Sequence, residues 1–201
     1  MMKLKLPCVA IILIMTTALP VVAQNLTARQ MNIYFGSPKK VTMSNSQGTT
    51  VTEFDRIGRV TSTKQGNMSI SYEWNESGDS VILSMYQGAN YQDHTHIKIV
   101  KNSQSQLKYT IGNMVDIEIS FNGNGALEKS VMTTHQMSTS MIYYYKSDKD
   151  VFPYVIEQEM GNQSMKLSVS INETDFYGNA IVYTQEFMGN KDVTRLTIEY
   201  Y

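Results

Sequence analysis

The sequence predicts an all-β protein, an antiparallel meander of repeated hairpins whose sheet curls on itself or stacks in two layers. Three observations predict it. Side chains alternate: Met68, Ile70, Tyr72 and Trp74 with Ser69, Ser71 and Glu73; Val115, Ile117, Ile119 and Phe121 with Asp116, Glu118 and Ser120; Met165, Leu167, Val169 and Ile171 with Lys166, Ser168 and Ser170. Successive side chains of a pleated strand point to opposite faces, so each run has one apolar and one wet face, as in antiparallel sheets. The linking segments carry Gly, Asn, Asp and Ser, the residues turns require, and no stretch beyond the N-terminal segment shows capped 3.6-residue apolar spacing.

The chain opens with MMKLKLPCVAIILIMTTALPVVAQ. Two lysines precede an apolar run, which ends in Pro20 and in small or medium residues up to Ala23, the three-part form of a secretory signal cleaved before Gln24. The run is shorter than the roughly 20 residues of a membrane span. Residues 1–23 are therefore expected to be removed, 24–40 to lead in and 41–201 to form one β-repeat domain. The only cysteine, Cys8, leaves with the signal, which excludes disulfides and thiol chemistry. The signal holds two of seventeen basic residues and no acidic one, so fifteen basic residues face eighteen acidic ones in the remainder. That balance argues against nucleic acid, whose binders carry clustered basic charge. No later segment can span a membrane as a helix.

Less regular runs follow at 81–86, 96–100, 106–111, 126–132, 141–145, 152–160, 179–187 and 193–200. The turns between strands recur. FDRIGRV, WNESGDSV, FNGNGAL and DFYGNAI each join an aromatic, a short polar turn, a Gly and a returning strand; YKSDKDVF and VKNSQSQL are weaker copies. Asp55, Gly58, Gly78, Gly125, Asp175, Gly178 and Asn179 are the structural turn residues, each Gly supplying the positive φ of a hairpin. The closing segment from Asp175 reads as a terminal hairpin that covers the end of the core, with Leu196, Ile198 and Tyr200 on one face.

FDRIGRVTS resembles the YD, or Rhs-like, repeat, in which an aromatic and Asp precede a turn ending in Gly-Arg or Gly-Asn. Asp175, Tyr177, Gly178 and Asn179, with Arg195, Ile198, Glu199, Tyr200 and Tyr201, resemble the last unit of small exported Bacteroidetes proteins with such repeats. The usual Trp after Gly-Asn is Ala180 here, and the central units keep only the pattern. The resemblance implies an exported hairpin array, usually non-enzymatic, with carbohydrate binding the one transferable role.

Candidates for chemistry are few. His94 and His96 in DHTHI would share a strand face about 6.5 Å apart along the chain. A zinc site needs three or four convergent ligands, and nothing places His135 or a carboxylate beside them. No Gly-x-Ser-x-Gly elbow is present. A hydrolase would have to pair carboxylates among Asp116, Glu118, Glu157 and Glu159, which read more simply as the polar halves of strands. Tyr143, Tyr144 and Tyr145 must populate both faces. With Tyr201 they are the candidate binding residues, exposed Tyr being a rigid plate with a hydroxyl. Tyr86, Tyr91 and Tyr200 are further candidates for exposure. Asp79-Ser80-Val81 fits a short O-glycosylation pattern at Ser80. Five Asn-x-Ser/Thr triplets, at Asn25, Asn67, Asn75, Asn162 and Asn172, would be acceptors only in a eukaryotic secretory path.

One apolar face per strand has to be covered, because burying each Leu- or Ile-sized side chain is worth roughly 1.5–3 kcal/mol. Met68, Met85, Met114 and Met165 would fill an irregular interior. The expectation is an exported, non-catalytic binding or structural protein, without cofactor, its partner carbohydrate or another surface protein. A half-barrel carrier of lipid or lipoprotein is the second reading. A hydrolase using paired carboxylates is the third.

Overall fold

The computed structural model describes residues 36–201 apart from 104, 113, 124, 148, 149 and 151. The signal segment, most of the lead-in and Asn25 lie outside the described residues, as do parts of YKSDKDVF and VKNSQSQL. Fourteen strands follow one another: β1 (Pro38–Asn45), β2 (Gly48–Phe54), β3 (Val60–Gln65), β4 (Met68–Trp74), β5 (Ser80–Gln87), β6 (Asn90–Asn102), β7 (Gln106–Ile111), β8 (Val115–Phe121), β9 (Leu127–Thr134), β10 (Ser138–Tyr144), β11 (Val155–Met160), β12 (Gln163–Thr174), β13 (Ala180–Phe187) and β14 (Asn190–Tyr200). Each pairs antiparallel with its sequence neighbours, and β14 pairs with β1. The all-β antiparallel meander is thus present, but its sheet neither stops at a curl nor stacks in two layers: it is a closed barrel. Closure removes both edges, which would otherwise leave unpaired N–H and C=O groups.

Two boundaries differ from the sequence reading. β1 begins at Pro38, inside the expected lead-in. β14 does not cover an end of the core: Val41 pairs with Ile198 and Met43 with Leu196, so the C-terminal hairpin supplies the closing seam.

A meander of this kind has two rims. The turns that recur in sequence all fall on one, between β2 and β3, β4 and β5, β6 and β7, β8 and β9, β10 and β11, and β12 and β13. We call this the long-turn end. In four of them an Asp or Asn starts an Asp/Asn-x-x-Gly turn closed the same way. Gly58 N–H donates to Asp55 O, Gly78 N–H to Asn75 O, Gly125 N–H to Asn122 O and Gly178 N–H to Asp175 O, at 2.9–3.1 Å. The leading side chain accepts as well: Asp55 Oδ1 from Ile57 and Arg59 N–H, Asp175 Oδ1 from Tyr177 and Asn179 N–H. Gly58 and Gly178 sit at φ 84° and 85°, where a Cβ is strained. At the other rim, the short-turn end, tight turns such as Gly66-Asn67 and Gly161-Asn162 join the strands.

Residues directly opposite in antiparallel pairs share a face, so the register carries the inner face around the barrel. Val41, Phe54, Val60, Tyr72, Val81, Ile97, Leu107, Tyr109, Ile117, Ile119 and Phe121 are buried together, with Ile70, Trp74, Leu83, Leu127, Leu196 and Ile198 against them. The apolar runs of the sequence accordingly point inward. Met68, Met85 and Met165 face inward as expected, whereas Met114 lies exposed in the β7–β8 turn.

Candidate functional site

The inner face is not uniform along the barrel axis. Toward the long-turn end it carries Val41, Phe54, Val60, Trp74, Val81, Phe121 and Leu127, most of them sealed from water. Toward the short-turn end the inward positions hold Thr50, Gln65, Thr95, Thr134, Thr139, Gln158 and Gln185, interleaved with methionines. Every methionine from Met43 to Met188 lies between the mid-level of the barrel and the short-turn rim. Inward Met68 and Met165 are 52% and 38% exposed, so solvent reaches the inner face at the short-turn rim.

The inner face is also uneven around the circumference. The buried cluster draws on β1 to β9 and β14, and none of its members comes from β10 to β13. Inward Ile156, Leu167 and Val169 are half-buried, and Ile171 is 37% exposed. An eight-stranded barrel is just filled by its own side chains, and interior width grows with strand number. Fourteen strands leave one wall packed and the other loose.

Where these regions meet stand hydroxyls with no protein group in hydrogen-bond geometry: Tyr109 Oη, Tyr72 Oη, Thr63 Oγ1 and Thr194 Oγ1. Tyr109 is 1% exposed. Burial pushes its phenol well above the ordinary value, and the neighbouring phenols of Tyr143 and Tyr72 push it further. Burial also raises Tyr72, partly offset by Thr63 alongside. Those two hydroxyls adjoin each other without a well-formed bond closing between them. Tyr143 is raised by burial and offset by Ser130; its hydroxyl lies 3.6 Å from Met141 Sδ. Tyr183, raised by burial, adjoins Thr194 and reaches Met43 Sδ at 4.0 Å. Each buried hydroxyl left without a partner costs about 1–3 kcal/mol.

No Lys, Arg or His occupies an inward register position among the described strands. The inward carboxylates are Asp93 and Asp192, both at the short-turn rim, where Asp192 accepts the Ser46 N–H. The outer face carries Lys40, Glu53, Lys64, Glu73, His94, Lys98, Lys108, Asp116, Glu118, Lys129, Glu157 and Arg195 among Ser and Thr. A membrane-spanning barrel has the opposite arrangement, an outward apolar band about 25 Å tall around a polar lumen. A Lys or Arg at the bilayer midplane of such a face costs roughly 2–4 kcal/mol, and these strands carry several.

The sequence candidates fall as follows. His94 and His96 share the outer face of β6, their ring centroids 5.6 Å apart; Tyr91 Oη lies 2.5 Å from His94 Nδ1. Tyr86 packs edge-on to Tyr91, completing an outer aromatic row. Among the described residues no group of three His, Cys, Asp or Glu gathers around them. The three consecutive tyrosines separate. Tyr143 points inward, Tyr144 lies on the outer wall donating to Glu157, and Tyr145 donates to Leu127 O at 2.7 Å. They do not form one surface. Tyr201 donates to Phe54 O, with Arg56 over its ring. Tyr200 is tied to Asp175 and Asn179.

Asp116 and Glu118 lie on the outer wall of β8, and Glu157 and Glu159 on that of β11, each pair on one strand rather than across a cleft. Glu157 is held below the ordinary carboxylate range by hydrogen bonds from Ser164 and Tyr144, with Lys166 adding charge. A proton donor needs the opposite shift. Ser80 is half-buried at the foot of its turn, its N–H bonded to Asn75. Alternation placed Tyr72 on the apolar face, whereas the inward hydroxyls of Tyr109, Thr63 and Thr194 went unread, because Thr and Tyr in less regular runs carry no sign of which face they take.

Fold and lining together define a closed fourteen-strand barrel with a charged, hydroxyl-rich outside and an apolar, hydroxyl-bearing inside. No family model matches the chain, and no curated protein matches it. Among solved structures it is similar to a porin-like protein from Bacteroides vulgatus, at 15% identity and a TM-score of 0.47, over 82% of this chain and 98% of that one.

Proposed function

We propose that this is an exported, non-catalytic binding protein that works in water and takes the apolar part of its ligand into the short-turn end of the barrel. One observation carries the reading: inward Met68 and Met165, near the short-turn rim, are reached by solvent, while most inward side chains of the long-turn end on β1 to β9 are buried. Thioether side chains are unbranched and polarisable, and so adapt to ligands of irregular shape. A closed carrier replaces the half-barrel expected from sequence. The exported setting rests on the signal-like N-terminus, and the YD-like turns serve in this reading as the scaffold of the closed end.

The test is binding of N-phenyl-1-naphthylamine, a neutral dye that fluoresces in apolar surroundings. One site per chain is expected, with emission quenched when Ile171→Lys or Leu167→Lys places a charge on the loose wall. A chain that binds no dye, or a dye signal indifferent to both substitutions, would sink the reading.

A second reading is favoured by Phe176, 97% exposed at the tip of the β12–β13 turn beside Tyr177 and near Tyr200. This aromatic edge fits a sugar face or another surface protein. Loss of glycan-array binding in Phe176→Ser, with dye binding intact, would establish it as a separate function.

A further inference from the structure

We infer that the barrel interior selects a neutral amphipath, an alkyl chain ending in a hydroxyl or carbonyl group, and that the hydroxyls of Tyr109, Tyr72 and Thr63 are its hydrogen-bonding partners. The inference rests on the carrier reading above and deepens it.

Depth comes first. Tyr109 pairs with Ile117, which pairs with Met132, so the phenol stands on the same inner rung as a thioether that packs against the edge of the core cluster. Tyr143, whose hydroxyl meets Met141 Sδ, lies close to it. Between these oxygens and the short-turn rim the inner face carries Met68 and Met85 together with Ile70, Ile111 and Val115, so an entering head group displaces flexible methionine chains beside a few aliphatic ones. Offering a partner to a buried hydroxyl that lacks one recovers part of the roughly 1–3 kcal/mol that its burial costs.

Charge decides the head group. With no cation at any inward register position, a carboxylate or phosphate carried to Tyr109 would be buried unpaired, which is costly. It would also have to pass Asp93 and Asp192 at the rim. A quaternary ammonium would be held at that rim and would leave the hydroxyls unmet. An uncharged oxygen satisfies both zones.

The experiment is displacement of N-phenyl-1-naphthylamine from the full chain by decanol, decanoate and decyltrimethylammonium, which share one alkyl tail. Decanol is expected to compete at least about tenfold better than either ion. The double variant Tyr72→Phe/Tyr109→Phe should keep dye binding and weaken decanol about fivefold or more, leaving decanoate unchanged. Because it deletes hydroxyls without partners and keeps ring shape, its thermal midpoint should equal or exceed that of the parent chain, so weaker decanol binding cannot be read as unfolding. Equal competition by the three tails, preference for either ion, or unchanged decanol binding in the double variant would overturn the inference while the carrier reading stands. Failure of the dye itself to bind would overturn both.

Discussion

The two ends of the barrel are made of the same strands and built to opposite specifications. At the long-turn end, inward Val, Phe and Trp pack under Asp/Asn-x-x-Gly turns whose leading side chains cap their own backbone. Of the six strand pairs with a register shift, five shift at this end, at Pro38, Phe54, Ile99, Phe121 and the last residues of β12. A bulge bends its strand and tightens the local twist, which helps bring the walls together. At the short-turn end, Met, Thr and Gln replace most of the stiff side chains, Ile111 and Val115 excepted, and water reaches the inner face at Met68 and Met165. One end holds the fold; the other is free to change shape. Stability and adaptability are separated along an axis rather than traded at one spot.

The sharpest way to break this division is to cut the seam both ends share. β14 pairs with β13 on one side and β1 on the other. Deleting residues 190–201 exposes two edges and uncovers Val41 from Ile198 and Leu196. The expected outcome is loss of the cooperative thermal transition by circular dichroism, and association on gel filtration. A monomer with unchanged melting would show that closure does not hold the fold.

Smaller changes sharpen the comparison. Leu107, inaccessible to solvent in the packed wall, should cost about 2–5 kcal/mol when changed to Ala. Met165→Ala, on the solvated inner face of β12, should cost less than about 1 kcal/mol. Urea denaturation measures both. Similar losses at the two positions would mean that the short-turn half is packed as tightly as the other.

The same division explains what could be read in the sequence. Strands β4, β8 and β12 were legible because their inward side chains are apolar and their outward ones polar. β1 and β2 were not legible as alternating strands, and β3 only as the strand returning from FDRIGRV: Thr50, Thr52, Thr63 and Gln65 face inward, so polar residues stand on both faces and the period-two contrast fades. The long-turn rim was legible because an Asp or Asn, a positive-φ Gly and a returning strand form a local code. Closure was not, because the pairing of Val41 with Ile198 depends on strand count and shear across the whole sheet. The tyrosine triplet was correctly expected to split between faces, but which member turned inward depended on that same register. Methionine was read as filler; its restriction to one half of the barrel becomes visible only once alternate turns are assigned to alternate rims.

The finest test concerns how the seam is locked at the closed rim. Asp175 Oδ1 accepts the backbone N–H groups of Tyr177 and Asn179 at 2.9 Å, and its other oxygen accepts Asn179 Nδ2 at 3.0 Å and the Tyr200 hydroxyl of β14. Burial pulls this carboxyl upward, but the donated hydrogen bonds outweigh it and hold the group below its ordinary value of 3.8. A carboxylate whose pKa is depressed on folding contributes stability that is present above its unfolded pKa and is lost as pH falls through the folded one. The lock should therefore hold down to about pH 4 and weaken below it. Asp175→Asn keeps the shape and removes the charge, so it should lower stability at neutral pH and flatten the loss below pH 4 in acid titrations followed by urea midpoint. Dye binding at the distant short-turn end should be unchanged at neutral pH, because the two ends share strands but not the side chains that set their stability. If Asp175→Asn weakened dye binding as much as it weakened the fold, the barrel would be one cooperative packing unit, and the division between a closed end and an adaptable one would fail.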